Sequence, residues 1–174
     1  MTTTAKTQNT GRRSRGLTSQ LCAALRRVEH SLREPLIVED RVGQTQSLHV
    51  VVIWDKWKSL LPKDRSKVIL DAYAMAERAQ NMTFTMAMGL TGEEAFRLGF
   101  LPYSIVSTRR NGDTVSAAEL EKTMAGLGGI LLKIGQSVQL RYPTLEQAED
   151  AYRKLSQRVP GPYWAIVHEQ PARE

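Results

Sequence analysis

The chain has little of what most catalytic and metal chemistry requires. One cysteine, Cys22, occurs in 174 residues, which excludes an intramolecular disulfide and a zinc site built from cysteines alone. The three histidines, His30, His49 and His168, are scattered without H-x-x-x-H spacing, so no metal and no cofactor is expected. No apolar run approaches the roughly 20 residues that cross a bilayer, and no membrane partner is expected. The leading segment, with Thr, Gln, Asn and Arg, lacks the apolar centre of a secretory signal. A reducing, cytoplasmic location fits these absences. A chain of this length hides roughly 70% of its unfolded surface on folding, so its core needs no staple.

Catalytic pairings are missing as well. Glu93 and Glu94 are adjacent, but a helix start explains them through capping and the helix dipole. Gly126, Gly128 and Gly129 follow a helix and lead into a strand, the reverse of a strand–loop–helix phosphate cradle. The expectation is a protein without enzymatic activity.

What the chain does carry is positive charge. The net charge is +6. Residues 1–16 contain Lys6, Arg12, Arg13 and Arg15 and no acid, which puts +4 there and leaves +2 for the remainder. Residues 1–16 are poor in apolar side chains and read as a disordered basic tail. Such a tail either solubilises the chain or adds salt-sensitive affinity for phosphates.

Hydrophobic periodicity then gives an α+β chain. Leu17, Leu21, Leu25, Val28 and Leu32 mark one face of a helix over 17–33, with Cys22 as small core filler, and Pro35 stops it. "LIVED" is a short strand. "LHVVVIW", 48–54, is a β-branched run buried on both faces, as in a central strand. A helix over 64–79, capped by Asp64, turns Val68, Ile69, Ala72, Met75 and Ala76 toward the sheet. "MTFTMAM" alternates, with Met82, Phe84, Met86 and Met88 on one side. A short helix ends at Gly99. Then come a strand in "YSIVSTRR", a turn at Asn111-Gly112, and a helix opened by a Ser116–Glu119 box. Two strands in "GILLKIGQSVQLRY" fold at Gly135. A helix capped by Thr144 and Gln147 is lined by Leu145, Ala148, Tyr152 and Leu155, and "YWAIVHE" is the last strand.

The order is α-β-β-α-β-α, then β-α-β-β-α-β. The second half has the order of a ferredoxin-like split βαβ unit. A break near 99–102 gives domains over 17–99 and 100–170.

Residues 20 to about 98 resemble the BolA family, whose fold is related to the type II KH domain. "ALRRVEHSLREPLIVED" is similar to the family's first helix, Leu-x-Pro step and first strand. "LHVVVIWDKWKSLLPKDRSKVILDAY" resembles its His-Phe-containing strand, aromatic-ended segment, basic stretch and following helix. "FTMAMGLTGEEA" looks like its third strand and Thr-Pro-Glu-Glu helix start. Where the family has Arg-His-Arg, this chain has Asp64-Arg65-Ser66. The histidine that the resemblance associates with shared iron–sulfur ligation is absent, and arginine and serine do not replace an imidazole ligand. The Gly-x-x-Gly loop of KH domains is also absent from this half.

The strand-to-helix connection concentrates Lys56, Lys58, Lys63, Arg65 and Lys67 beside Trp54 and Trp57. Cations attract phosphates, indoles stack on unpaired bases, and a helix amino end favours an anion. That combination reads as a nucleic-acid contact. The competing reading is a protein-partner surface built on Trp57, Tyr163 and Trp164, the last two in the rigid "RVPGPYWAI" stretch. A third is a small-ligand pocket between the two halves. Oligomeric state is not legible.

Overall fold

The computed structural model describes residues 4–27, 35–43, 47–78, 82–108, 117–124, 126–134, 137–158 and 163–169. The chain is α+β and divides into two compact units, the first running to Thr91 and the second starting at Gly92.

In the first unit, helix α1 spans Thr4–Leu25. The disordered tail expected over 1–16 is corrected for residues 4–16, because the helix already runs from Thr4. Its anchor is the stripe Leu17, Leu21, Cys22 and Leu25, all buried. Once that anchor fixes a turn, each added residue gains a backbone bond without a new nucleation cost, so the helix propagates toward the amino end. Thr18 and Ser19 hydroxyls donate back to the Ser14 and Arg15 carbonyls. At the other end α1 stops at Leu25, short of the expected 33. Val28, His30 and Leu32 lie outside the described residues.

Strands β1 (Leu36–Arg41), β2 (Ser47–Ile53) and β3 (Thr83–Leu90) form one sheet in the order β1-β2-β3. β1 is antiparallel to β2, and β3 is parallel to it. The β-branched run of β2 is therefore the central strand, as its two-sided apolar pattern requires. Helix α2 (Pro62–Met75) and α1 cover one face, burying Val50, Val52, Val68, Ile69, Ala72 and Tyr73.

Two expected faces shift. The β2–β3 register slips between Leu48 and His49, so Thr85 is the extra residue. A slip of one residue exchanges sheet faces. Phe84 thus meets Tyr73 edge-on at 5.2 Å among the helices, while Met86 and Met88 pair beside His49 and Val51 on the alternate positions. In α2, Tyr73 rather than Met75 completes the buried stripe, and Met75 is half exposed. Nor does Asp64 cap this helix. Leu61 is the cap residue and Pro62 stands at the first helical position, where its missing N–H costs nothing and its fixed φ suits the helix. The far end of α2 is closed by Arg26, whose guanidinium donates to the Met75 carbonyl at 2.6 Å.

The second unit holds α3 (Gly92–Arg97), β4 (Tyr103–Thr108), α4 (Ala117–Met124), β5 (Ile130–Ile134), β6 (Ser137–Tyr142), α5 (Leu145–Arg158) and β7 (Tyr163–His168). Its sheet is antiparallel throughout, in the order β5-β6-β4-β7. α3 groups with this unit, ahead of the break expected near 99–102, and its Phe96 ring is stacked by the Arg141 guanidinium of β6. The Asn111-Gly112 turn, the Ser116 cap and the Gly135 turn lie outside the described residues. Gln147 donates its backbone N–H to the Thr144 hydroxyl at 3.4 Å, as a capping residue should. The inner stripe of α5 is Ala148, Ala151 and Leu155; Leu145 and Tyr152 point outward.

Both cores hold a tyrosine that titrates abnormally. Burial, then the hydrogen bond to Glu39 and its charge, raises Tyr73 far above an ordinary phenol. Burial, then the charge of Asp150, raises Tyr142 in the same direction. Unfolded tyrosine ionises near pH 10. A folded pKa above that value contributes stability that is complete below about pH 10 and is lost as pH climbs past it. Absorbance at the tyrosinate band should therefore show at least two of the five tyrosines ionising only together with unfolding. Independent, reversible ionisation of all five near pH 10 would contradict these environments.

Candidate nucleic-acid interface

After β2 the chain makes a 3-10 turn over Asp55–Ser59, and this turn decides which side chains stay outside. It rolls Trp57 inward, where its ring is 0% exposed and its Nε1–H donates to the Val52 carbonyl at 2.9 Å. Trp54 is buried edge-on against it, ring centroids 5.3 Å apart. Lys56 lies over the Trp54 ring, its Nζ 5.0 Å from the centroid. The expectation that Trp57 offers a partner or stacking surface is therefore corrected: its ring is enclosed, and its N–H is satisfied by the backbone.

Arg65 is corrected in the same way. It is 6% exposed, and its Nε and Nη1 donate to the carbonyls of Leu60 and Gly89 at 3.0 and 3.1 Å. The Leu60 carbonyl follows the 3-10 turn and the Gly89 carbonyl belongs to β3, an outer strand of the sheet, and the fork of donors on one side chain satisfies them together. Gly89 makes room, because a Cβ there would stand 2.8 Å from the Arg65 Cβ and 3.1 Å from Trp57. Arg65 also lies one turn before Val68, Ile69 and Ala72 on their own face, a spacing that marks it as inward-facing.

Trp164 in β7 is buried too, packed with Ile105, Leu140 and Leu155, so it forms core rather than an exposed aromatic wall. The side chain of Tyr163 and residues 159–162 lie outside the described set.

The four lysines are exposed. Lys56 Nζ donates to Gln20 Oε1 at 2.5 Å. Lys58 meets Asp55 at 3.1 Å, and Lys67 meets Asp71 at 2.9 Å one turn along α2. These pairs are solvated, and such pairs contribute only about 0–1 kcal/mol, so a phosphate can draw the ammonium groups away. Lys63 is in the first turn of α2, one helical turn before Lys67. Asp64 already answers the positive end of that helix.

Compared with known proteins, the chain matches no family model, no curated protein and no solved structure. The geometry alone carries the reading.

The sequence reading missed one cation. Arg13 of α1 lines a shallow groove of ≈ 450 Å³ together with Gly16, Leu17, Gln20, Asp55, Lys56, Lys58 and Ser59. Residues 13, 16, 17 and 20 share one helical stripe. A helix continued through the basic segment is the signal that would have placed Arg13 beside Lys56 and Lys58. No helix among the described residues is long and apolar enough to cross a membrane.

Proposed function

We propose that this is a non-catalytic binding protein that contacts the phosphate backbone of nucleic acid through Lys56, Lys58, Lys63 and Lys67, joined by Arg13. The observation that carries the reading is the sorting of side chains at the strand-to-helix connection. The tryptophans and Arg65 turn inward while all four lysines stay in water. With no indole free to stack, contact is electrostatic and indifferent to sequence.

The fold reading is part of the proposal. The α-β-β-α-β order of the first unit, with antiparallel β1–β2 and parallel β2–β3, supports a BolA/KH-like domain. The β-α-β-β-α-β order and the β5-β6-β4-β7 antiparallel sheet support a ferredoxin-like second domain. A cytoplasmic setting accords with the single free, buried Cys22.

Fluorescence anisotropy with labelled single-stranded and duplex 20-mers tests the function. Five phosphate contacts on a single strand give a log–log salt slope near roughly −3.5, or about a 130-fold loss of affinity between roughly 50 and 200 mM salt. Lys56→Glu with Lys63→Glu should weaken binding and flatten that slope by about 1.4. Absence of binding to either probe at low salt, or an unchanged slope in the double variant, would refute the proposal.

A further inference from the structure

The groove between α1 and the Asp55–Ser59 turn has a feature that phosphate contact does not require. Gly16 stands in the middle of the 22-residue helix α1, and apart from proline no residue costs a helix interior more than glycine. Nothing in the packing demands it. A Cβ built on Gly16 meets no atom within 4 Å. Gly16 itself lines the groove, and glycine in such a place lets a ligand approach the backbone closely.

The groove has two chemical zones. Leu17 and the bare Gly16 backbone form an apolar stretch on α1. Arg13, Lys56 and Lys58 bring cations from both sides, with Gln20 holding Lys56 and Asp55 holding Lys58. A volume of ≈ 450 Å³ falls within the roughly 300–1,000 Å³ of small-ligand sites. An occupant that matches both zones carries a phosphate and a compact, less polar body.

Resting on the nucleic-acid reading above, we infer that this groove takes one nucleotide of a single strand. Its phosphate lies among Arg13, Lys56 and Lys58, and its sugar and base lie along Gly16 and Leu17. A base-paired duplex keeps its bases stacked inside and can offer only backbone to the rim. The protein therefore prefers single strands.

The test places a side chain in the groove without changing its charge. Labelled single-stranded octamers, the matching duplex and free adenosine monophosphate are titrated against the full chain, wild type, Gly16→Phe and Gly16→Ala. The single strand should bind more tightly than the duplex. Gly16→Phe should weaken single-strand binding about tenfold and leave duplex binding unchanged. Gly16→Ala should weaken single-strand binding by a smaller factor than Gly16→Phe and raise the thermal midpoint, since its methyl group holds the ligand off the backbone while alanine favours helix. Free adenosine monophosphate should bind far more weakly than the octamer, lacking neighbouring phosphates for Lys63 and Lys67. Circular dichroism and thermal melting confirm that Gly16→Phe is folded; should it fail to fold, Gly16→Gln takes its place. Single-strand binding that survives a filled groove, equal affinity for duplex, or adenosine monophosphate binding as tight as the octamer overturns the inference while the cationic contact stands. If no nucleic acid binds at low salt, both fall.

Discussion

Arg65→Ala should destabilise the first unit by about 3–5 kcal/mol and leave the salt slope of nucleic-acid binding unchanged in whatever folded fraction remains. The magnitude follows from what is left behind. Truncation strips the Leu60 and Gly89 carbonyls of the donors that serve them at 3.0 and 3.1 Å, and each unsatisfied buried acceptor costs about 1–3 kcal/mol. It also opens a cavity beside Trp57 and Gly89, where the Gly89 Cα faces the Arg65 Cβ; cavities add to the loss because the surroundings collapse only in part. Arg65→Lys should recover little, since a single ammonium cannot reproduce the fork that reaches two carbonyls at once. Amide hydrogen exchange resolved by residue reads the effect within β2, α2 and β3 separately from the second unit, which a single global transition would blur. Wild-type exchange rates in those elements would show that the guanidinium is not a structural tie. A binding slope that drops by the weight of one phosphate contact would return Arg65 to the proposed nucleic-acid contact.

That residue also shows what a sequence discloses and what it hides. Charge at 65 argued for solvent, whereas its spacing from Val68, Ile69 and Ala72 argued for the core. The spacing prevailed because two stranded carbonyls needed donors and a glycine across the sheet left space. Charge is a statement about water only when no buried partner is available. Trp57 is a harder case. Five residues of 3-10 turn carry no usable hydrophobic period, so nothing in Asp-Lys-Trp-Lys-Ser indicates which way the indole rolls. The exposure of the lysines was legible because a solvated ammonium is the ordinary state of that side chain.

Strand identity was legible from β-branched runs and alternation, and the central place of β2 from its apolar character on both faces. Strand facing in β3 was not, because one extra residue at Thr85 exchanges the faces and leaves composition untouched. Arg13 escaped for a cooperative reason. Residues 1–16 have no apolar stripe of their own, and their helix depends on being continuous with a segment that has one. The fold elements were thus set by local pattern, while the candidate site depends on events that no local window contains: a turn, a bulge and a propagated helix.

In the second unit, Arg141→Ala should cost about 3–5 kcal/mol, from the Gln139 and Leu101 acceptors it leaves without a donor and the cavity it opens. Arg141 is 0% exposed, the largest charged side chain so enclosed among the described residues. Its Nε and Nη2 donate to Gln139 Oε1 at 3.1 and 2.6 Å, Nη1 donates to the Leu101 carbonyl at 3.3 Å, and Nη2 meets the Glu169 carboxylate. The guanidinium lies over the Phe96 ring at 3.9 Å, a geometry that attracts a cation to an aromatic face. One side chain thereby ties α3, the α3–β4 connection, β6 and the end of β7. Partial exposure of Glu169, 38% of its side chain, separates the contributions. Glu169→Gln keeps a hydrogen-bond acceptor that water can also serve and should cost only about 1 kcal/mol. Arg141→Met keeps the contact with Phe96 but leaves Gln139 and Leu101 without a donor, and should fall between the two. In a double-mutant cycle, Arg141→Met with Glu169→Gln should show a coupling of about 0.5–3 kcal/mol, read from exchange in β4, β6 and β7. A cycle that closes to zero, with Arg141→Met as stable as wild type, would mean that Arg141 is held by packing alone and that the tie between the sheet and α3 is apolar.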